Sequence, residues 1–224
     1  MIIEEKNRSN PVSSDHNFPR KAVLELIFQS IENTVLPFVR TVKPYINDFN
    51  EDNFTQEFIE KNDYQLSKLT NSIGVKCQYH DLVYKTKGIP DIYYHFREED
   101  GIRKPIFVME AKVLPAPSKS RDKEYVYGYR NTDKPSGGIQ RFKMELHGKG
   151  HNQCGMLAYV LKDNFESWQS KINGWIQEVD NGATSTECLH SENFKKDLFV
   201  RLSSKVIRQT EKELRLHHFW IEIK

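Results

Sequence analysis

Three side chains carry the chemistry that this chain most plainly offers: Asp91, which follows Pro90, and Glu110 and Lys112 in the run P-I-F-V-M-E-A-K-V-L. Strand side chains alternate faces, so Glu110 and Lys112 point the same way, roughly 7 Å apart along the backbone. Asp91 opens a second apolar run, D-I-Y-Y-H-F, and the polar turn Arg97 to Lys104 between the two runs contains Asp100-Gly101. That turn signals a hairpin, whose antiparallel pairing brings Asp91 opposite the other two residues. Carboxylates are hard ligands that hold Mg²⁺ and leave positions open for water and phosphate. A divalent ion so held acidifies water and neutralises charge developing on phosphorus. A neighbouring ammonium orients the nucleophile or stabilises the transition state. The chemistry implied is metal-assisted phosphodiester hydrolysis.

The elements that must position these residues can be read in order. Val23, Leu26, Ile27, Ile31 and Val35 repeat at helical spacing after Pro19, which predicts a packing helix to about Leu36, stopped by Pro37. Asn50 caps a second helix, E-D-N-F-T-Q-E-F-I-E, whose buried side is defined by Phe54, Phe58 and Ile59. Glu51 projects near the middle of that side, Glu57 towards its flank, and Glu60 away. Glu51 is therefore either an acid of the site or a charge favouring the positive end of the helix dipole. The first-helix acid is left between Glu51 and Glu57. Val75, Cys77 and Tyr79 alternate with polar residues and predict a first strand, which with the hairpin makes a three-stranded meander.

From Pro115 to Gly138 the chain is irregular, and residues 115–150 hold eight basic against four acidic residues. Tyr125, Tyr127 and Tyr129 are interleaved with them. Basic groups with aromatic neighbours suit a phosphate backbone and its bases, so Lys119, Arg121, Lys123, Tyr127, Arg130, Arg141 and Lys143 are the expected nucleic-acid contacts. A solvated loop is the plain alternative. Gly137-Gly138 introduces a helix, I-Q-R-F-K-M-E-L-H, whose first turn offers backbone N–H groups beside Gln140, Arg141 and Lys143. The apolar run C-G-M-L-A-Y-V-L predicts a strand buried on both faces. Asp163 or Asn164 then caps a helix striped by Phe165, Trp168, Ile172, Trp175, Ile176 and Val179. Two last strands, D-L-F-V-R-L-S-S and L-R-L-H-H-F-W-I-E-I, are expected as a hairpin closing one sheet edge.

The chain of 224 residues is 38% hydrophobic and 29% charged, which suits a globular protein with a substantial core. Its net charge of +2 means that any attraction to nucleic acid comes from local clustering. The opening residues lack the apolar centre of a signal peptide, and no run approaches the roughly 20 apolar residues of a membrane span. Cys77, Cys154 and Cys188 imply neither a disulfide framework nor a zinc cluster, so a reducing cytoplasm and no membrane are expected. No phosphate-binding G-x-x-x-x-G-K-S/T run and no G-x-S-x-G elbow occurs. His147 and His151 stand four apart, but Gly148 and Gly150 break any helix between them, so they read as loop residues. His217 and His218 alternate faces and cannot both reach one ion.

The pattern Pro90-Asp91, a gap, then Glu110-Ala111-Lys112 resembles the signature of the PD-(D/E)XK, or restriction-endonuclease-like, nuclease superfamily. The preceding helix, the meander, the following helix and the buried strand resemble its αβββαβ core over roughly residues 50–162. The resemblance implies an α/β fold with a mixed central sheet flanked by helices: residues 1–45 as a helical extension and 46–224 as the nuclease-like domain. It makes Asp91 and Glu110 metal ligands, Lys112 the catalytic lysine, Glu51 the acid of the first core helix and Gln140 a polar active-site side chain. Mg²⁺ is then the cofactor, with Mn²⁺ as a substitute, and DNA the substrate, with RNA not distinguished. The E-Y-V-Y-G … G-G-I-Q-R-F-K … H-G segment resembles bacterial restriction and antiphage-defence nucleases, which implies a homodimer or a place in a defence complex. The alternative is a nucleic-acid-binding or regulatory module with this fold and no turnover.

Overall fold

Asn50 and Asn53 start the element on which the rest is built. Asn50 accepts from the Asn53 backbone N–H at 2.9 Å, and the Asn53 side chain accepts in return from the Asn50 N–H at 3.1 Å. This reciprocal cap fixes the start of α2 (Glu51–Leu69), which buries Phe54, Phe58, Ile59 and Leu66. Each such side chain withdrawn from water stabilises the fold by about 1.5–3 kcal/mol. The computed structural model describes residues 20–97, 104–128, 136–179 and 187–224, with residues 20 and 193–196 described by their backbone alone.

Helix α1 (Arg20–Val42) lies against α2 and runs straight through Pro37 rather than stopping before it. Pro37 removes one backbone hydrogen bond, but Phe38, Val39 and Val42 beyond it are all buried, and that packing carries the helix another turn. The segment Lys21–Tyr45 is long and apolar enough to cross a membrane, contrary to the reading of the bare sequence. Yet 56% of its apolar window is buried inside the protein, the character of a core helix. Between the two helices Asn62 donates to Ser30 at 3.1 Å and Thr34 at 3.0 Å and accepts from the Tyr94 hydroxyl at 2.7 Å. A buried amide with its partners supplied fixes the helix pair against the sheet without the penalty of an unmade bond.

Among the described residues the sheet has seven strands: β1 (Ile73–Cys77), β2 (Ile92–Phe96), β3 (Pro105–Leu114), β4 (Gln153–Val160), β5 (His190–Lys196), β6 (Phe199–Ile207) and β7 (Glu213–Glu222). Their order across the sheet is β1-β2-β3-β4-β7-β6-β5. The first three form the antiparallel meander, β3, β4 and β7 run parallel, and β7, β6 and β5 are antiparallel again. The protein is therefore mixed α/β. The centre of the hairpin turn, residues 98–103, lies outside the described residues.

The last two strands do not close an edge. Strand β7 lies in the interior between β4 and β6, and β5, which the sequence did not announce, forms that edge. The reason is visible in β7 itself: Leu216, His217, His218, Phe219, Trp220 and Ile221 are buried in succession, so both faces need cover. One face, with Phe107, Met109, Ala111 and Val113 of β3, packs on α1 and α2. The other, with Val108 and Leu114, packs on Tyr125–Tyr127, on the short α3 (Gly138–Lys143) and on α4 (Phe165–Val179). Helix α4 is capped by Asn164, whose side chain accepts from the Ser167 N–H at 2.8 Å.

A candidate active site where β2 breaks off

Strand β2 begins at Ile92, paired with Met109, so among the described residues β3 from Glu110 onward has no strand on that side. Pro90, with no N–H to give a ladder, sits at the break. The two β3 amides left facing outwards are taken by carboxylates. The Ala111 N–H donates to Asp91 Oδ2 at 2.8 Å, and the Val113 N–H donates to Glu51 Oε2 at 3.2 Å. The register thus sets Asp91 beside Glu110, and the α2 cap sets Glu51 at the same open edge.

Glu110 and Lys112 share a face, as alternation requires, and both are buried, Glu110 completely. The Lys112 ammonium donates to Glu51 Oε1 at 3.0 Å and to the Ala111 carbonyl at 2.6 Å, and lies 3.0 Å from Glu110 Oε1. Two residues on the far side of the chain complete the surround of Glu110. Arg141 Nη1 donates to its Oε1 at 2.5 Å, and His147 Nδ1 approaches its Oε2 at 3.1 Å. That second approach lacks the alignment of a hydrogen bond, which leaves the buried Glu110 Oε2 and His147 Nδ1 without one.

The charges hold one another. Burial opposes ionisation of Glu110, but Lys112, His147 and Arg141 outweigh it and keep the carboxyl well below the usual carboxylate range. Burial likewise opposes the charge on Lys112, and Glu110, Glu51 and Asp91 overcome it, so the ammonium is bound more firmly than in water. Among the described residues Asp91 forms no direct ion pair, and the more distant pull of Lys112 is outweighed. Burial first, and the Glu110 charge second, push it up to about 7. Burial also raises Glu51, with Lys112 pulling the other way.

The other expected site residues fall in three groups. Gln140 does not turn to the carboxylates: its side-chain oxygen accepts from the Gly128 and Gly137 N–H groups at 3.3 and 3.4 Å and so caps α3. The helix presents Arg141 to the site instead. The first-turn amides of α3 are not available to phosphate, because Gly138, Ile139 and Gln140 donate to the carbonyls of Glu124, Tyr125 and Val126. Around the basic loop, Arg121 is held by Glu124 at 2.6 and 2.8 Å, Lys123 by Glu178 at 2.5 Å and Lys143 by Glu187 at 3.0 Å. Lys119 is exposed. Tyr127 is buried, and Tyr125 is wholly interior, bonded to His218 Nδ1 at 2.8 Å and to Trp220 Nε1 at 2.9 Å. These two rings belong to the core rather than to a stacking platform. Arg130 lies outside the described residues. Glu57 pairs with Lys61 at 3.8 Å on its own helix, which leaves Glu51 as the acid of α2 that reaches the site.

His147 lies in a loop, as its glycine neighbours imply, but nothing in its spacing marks it as a neighbour of Glu110; the return of the loop after α3 brings it there. Among the described residues no group of three Asp, Glu, His or Cys side chains forms a ready metal cage. Mg²⁺ needs less, since it is held by one or two carboxylates with water and substrate phosphate filling the rest. Asp91 and Glu110, whose Oε2 has His147 Nδ1 at 3.1 Å, are the two carboxylates that such an ion would use.

No protein-family model matches the chain, and no match to it is found among curated proteins or among solved structures.

Proposed function

We propose that this chain is a Mg²⁺-dependent nuclease of the restriction-endonuclease-like kind, acting on the phosphodiester bonds of DNA. The observation that carries the reading is the convergence of Glu51, Asp91, Glu110 and Lys112 from α2, the start of β2, and β3 onto one open strand edge. The element order α2-β1-β2-β3-α3-β4 and the parallel β3–β4 pair add to it. Asp91 and Glu110 would hold the metal, which when bound supplies Lewis acidity to the phosphate and to a water nucleophile. Mn²⁺ would substitute.

The protein's own groups do the rest. Lys112, held protonated by its carboxylates, cannot serve as a base; it donates hydrogen bonds and positive charge to the nucleophile or to the phosphoryl oxygens. Glu51 fixes the Lys112 ammonium in place. Arg141 is partly exposed and bonded to Glu110, so it can meet a phosphate without leaving the site. His147 lies beneath Glu110 and supports its orientation. A cytoplasmic protein, a homodimer or a member of a defence complex agrees with this reading.

One observation favours a second reading, a nucleic-acid-binding module without turnover: Lys112 and Arg141 already compensate Glu110 in the protein alone. Incubation of linear and circular DNA, and of RNA, with Mg²⁺, Mn²⁺ or EDTA separates the two. The nuclease cuts DNA with either metal and not with EDTA, and Lys112→Ala binds without cutting. The silent module binds with a salt-dependent affinity and cuts under no metal.

A further inference from the structure

The segment between β1 and β2 is short of burial and rich in order. Its base is closed by two backbone bonds, Gln78 N–H to the Asp91 carbonyl at 2.8 Å and Tyr79 N–H to the Pro90 carbonyl at 3.1 Å. Its tip is organised by Asp81, which accepts from the Val83 and Tyr84 N–H groups at 3.0 and 2.8 Å and from the Thr86 hydroxyl at 3.1 Å. This is a built turn, not a loose connection.

On that turn stand Leu82, Val83, Tyr84 and Ile89, exposed by 64, 49, 50 and 41%. Among the described residues nine large apolar side chains are this exposed, and four of them lie within these eight positions. Apolar side chains scattered singly need no account, but a concentrated group on an ordered turn marks a contact surface. Lys85 and Lys87 are exposed beside them. The one acid of the tip, Asp81, spends both oxygens on the turn's own bonds.

The turn is also continuous with the candidate active site. Ile89 and Pro90 lead directly into Asp91. A Cβ on Gly88 would lie 2.3 Å from His147 Cδ2, so only glycine lets the turn rest on the histidine that touches Glu110. Tyr84 packs over Gly150 in the same loop, where a Cβ would meet its hydroxyl at 2.2 Å. Apolar side chains with flanking cations, fixed next to a phosphodiester-cleaving site, match nucleotides whose bases are unstacked: the bases cover the apolar groups and the phosphates meet the lysines. An intact duplex offers phosphates and groove edges but no apolar face to cover these side chains.

We infer that the 80–89 turn is a wedge that holds unpaired nucleotides beside Asp91, with Leu82 and Tyr84 against bases and Lys85 and Lys87 on phosphates, so that the substrate is single-stranded or locally opened DNA. This rests on the nuclease reading of the carboxylate cluster, but its test does not need turnover. Fluorescence anisotropy in EDTA compares a labelled single-stranded DNA oligonucleotide with the blunt duplex of the same sequence, and a single-stranded RNA of that sequence as a third probe. The wild type prefers the DNA single strand over the duplex. The Leu82→Ser/Tyr84→Ala pair weakens single-strand binding about tenfold to a hundredfold and leaves duplex binding within a factor of about two. Lys85→Gln/Lys87→Gln keeps the preference and lowers the salt slope by about one to two. Leu82→Ser alone, at the most exposed position, keeps the wild-type melting temperature and so separates lost contact from lost fold. Equal binding of both strand states, unchanged binding by the apolar pair, or a preference for RNA overturns the inference even where Mg²⁺-dependent cleavage is found. A dimer in sedimentation that Leu82→Ser turns to monomer, with oligonucleotide binding unchanged, also overturns it, since the turn is then an interface between copies. Single-strand binding without any cleavage supports the wedge while removing the nuclease.

Discussion

Lys112 sits among three carboxylates and bonds to the backbone of its own strand, so its ammonium is the keystone charge of the site. Removing it leaves Glu51 with only the Val113 N–H and takes one of the cations from a carboxylate that is fully buried. Lys112→Met is expected to lower stability by about 3 kcal/mol, the range for breaking a buried pair. Urea unfolding in EDTA measures this, and under the proposed function added Mg²⁺ should narrow the gap by binding the folded state. A variant as stable as the wild type would show that the ammonium is not held as described. Asp91, Glu110 and Lys112 were legible in the sequence because strand alternation and a hairpin turn are local rules. Arg141 was legible as a basic residue but not as the partner of Glu110, and His147 was not legible at all. Both reach Glu110 through α3 and the loop behind it, a closure that depends on long-range packing rather than on any spacing in the chain.

At the scale of elements, the sequence reading of the basic segment went furthest astray. Alternating tyrosines and cations look like a stacking surface, yet Tyr125 and Tyr127 face inwards because β7 beneath them offers Trp220 and His218. His218 bonds Tyr125 through Nδ1 and Ser204 through Nε2 and is fully buried. Burial first, and the charge of His217 second, depress it from 6.5 to about 3. The unfolded chain therefore binds its proton below 6.5 while the folded chain waits until about 3. Between those values the unfolded state binds more protons, and stability falls as pH falls, by up to about 1.4 kcal/mol per pH unit. Asp91, raised to about 7, acts in the opposite sense, adding stability as pH falls from about 7 towards its ordinary 3.8. Melting temperatures of the wild type and His218→Gln across the range from 6.5 to about 4 isolate the histidine, since Asp91 is common to both. The wild type should lose stability more steeply, whereas parallel curves would contradict a neutral buried imidazole.

For the whole molecule, the meander and the buried fourth strand followed from periodicity, but the order of the sheet beyond β4 did not. A run buried on both faces announces an interior strand without naming its neighbours, and β7 could be assigned to an edge until β4 was seen beside it. Helix α1 teaches the same lesson. Its apolar stripe was clear, but its membership of the core shared with α2 and β3 is a tertiary fact. Ile27, Ile31, Phe38 and Val42 are each wholly buried. Together their burial is comparable with the 5–15 kcal/mol net stability of an ordinary domain. A chain beginning at residue 46 is therefore expected to lose its near-ultraviolet circular dichroism and its cooperative unfolding. Retention of both would make α1 an appendage.

If the open edge of β3 is, as we propose, a metal-dependent phosphodiester-cleaving site, Asp91 and Glu110 are its most exacting members. The direct measurement is the rate of cleavage of labelled DNA in Mg²⁺ by the wild type, Asp91→Ala and Glu110→Ala, each first shown by circular dichroism to be folded. Both variants are expected to lose at least about a hundredfold in rate, in line with the several kcal/mol that a metal contributes to the transition state. Cleavage retained at the wild-type rate by both variants would contradict the proposal.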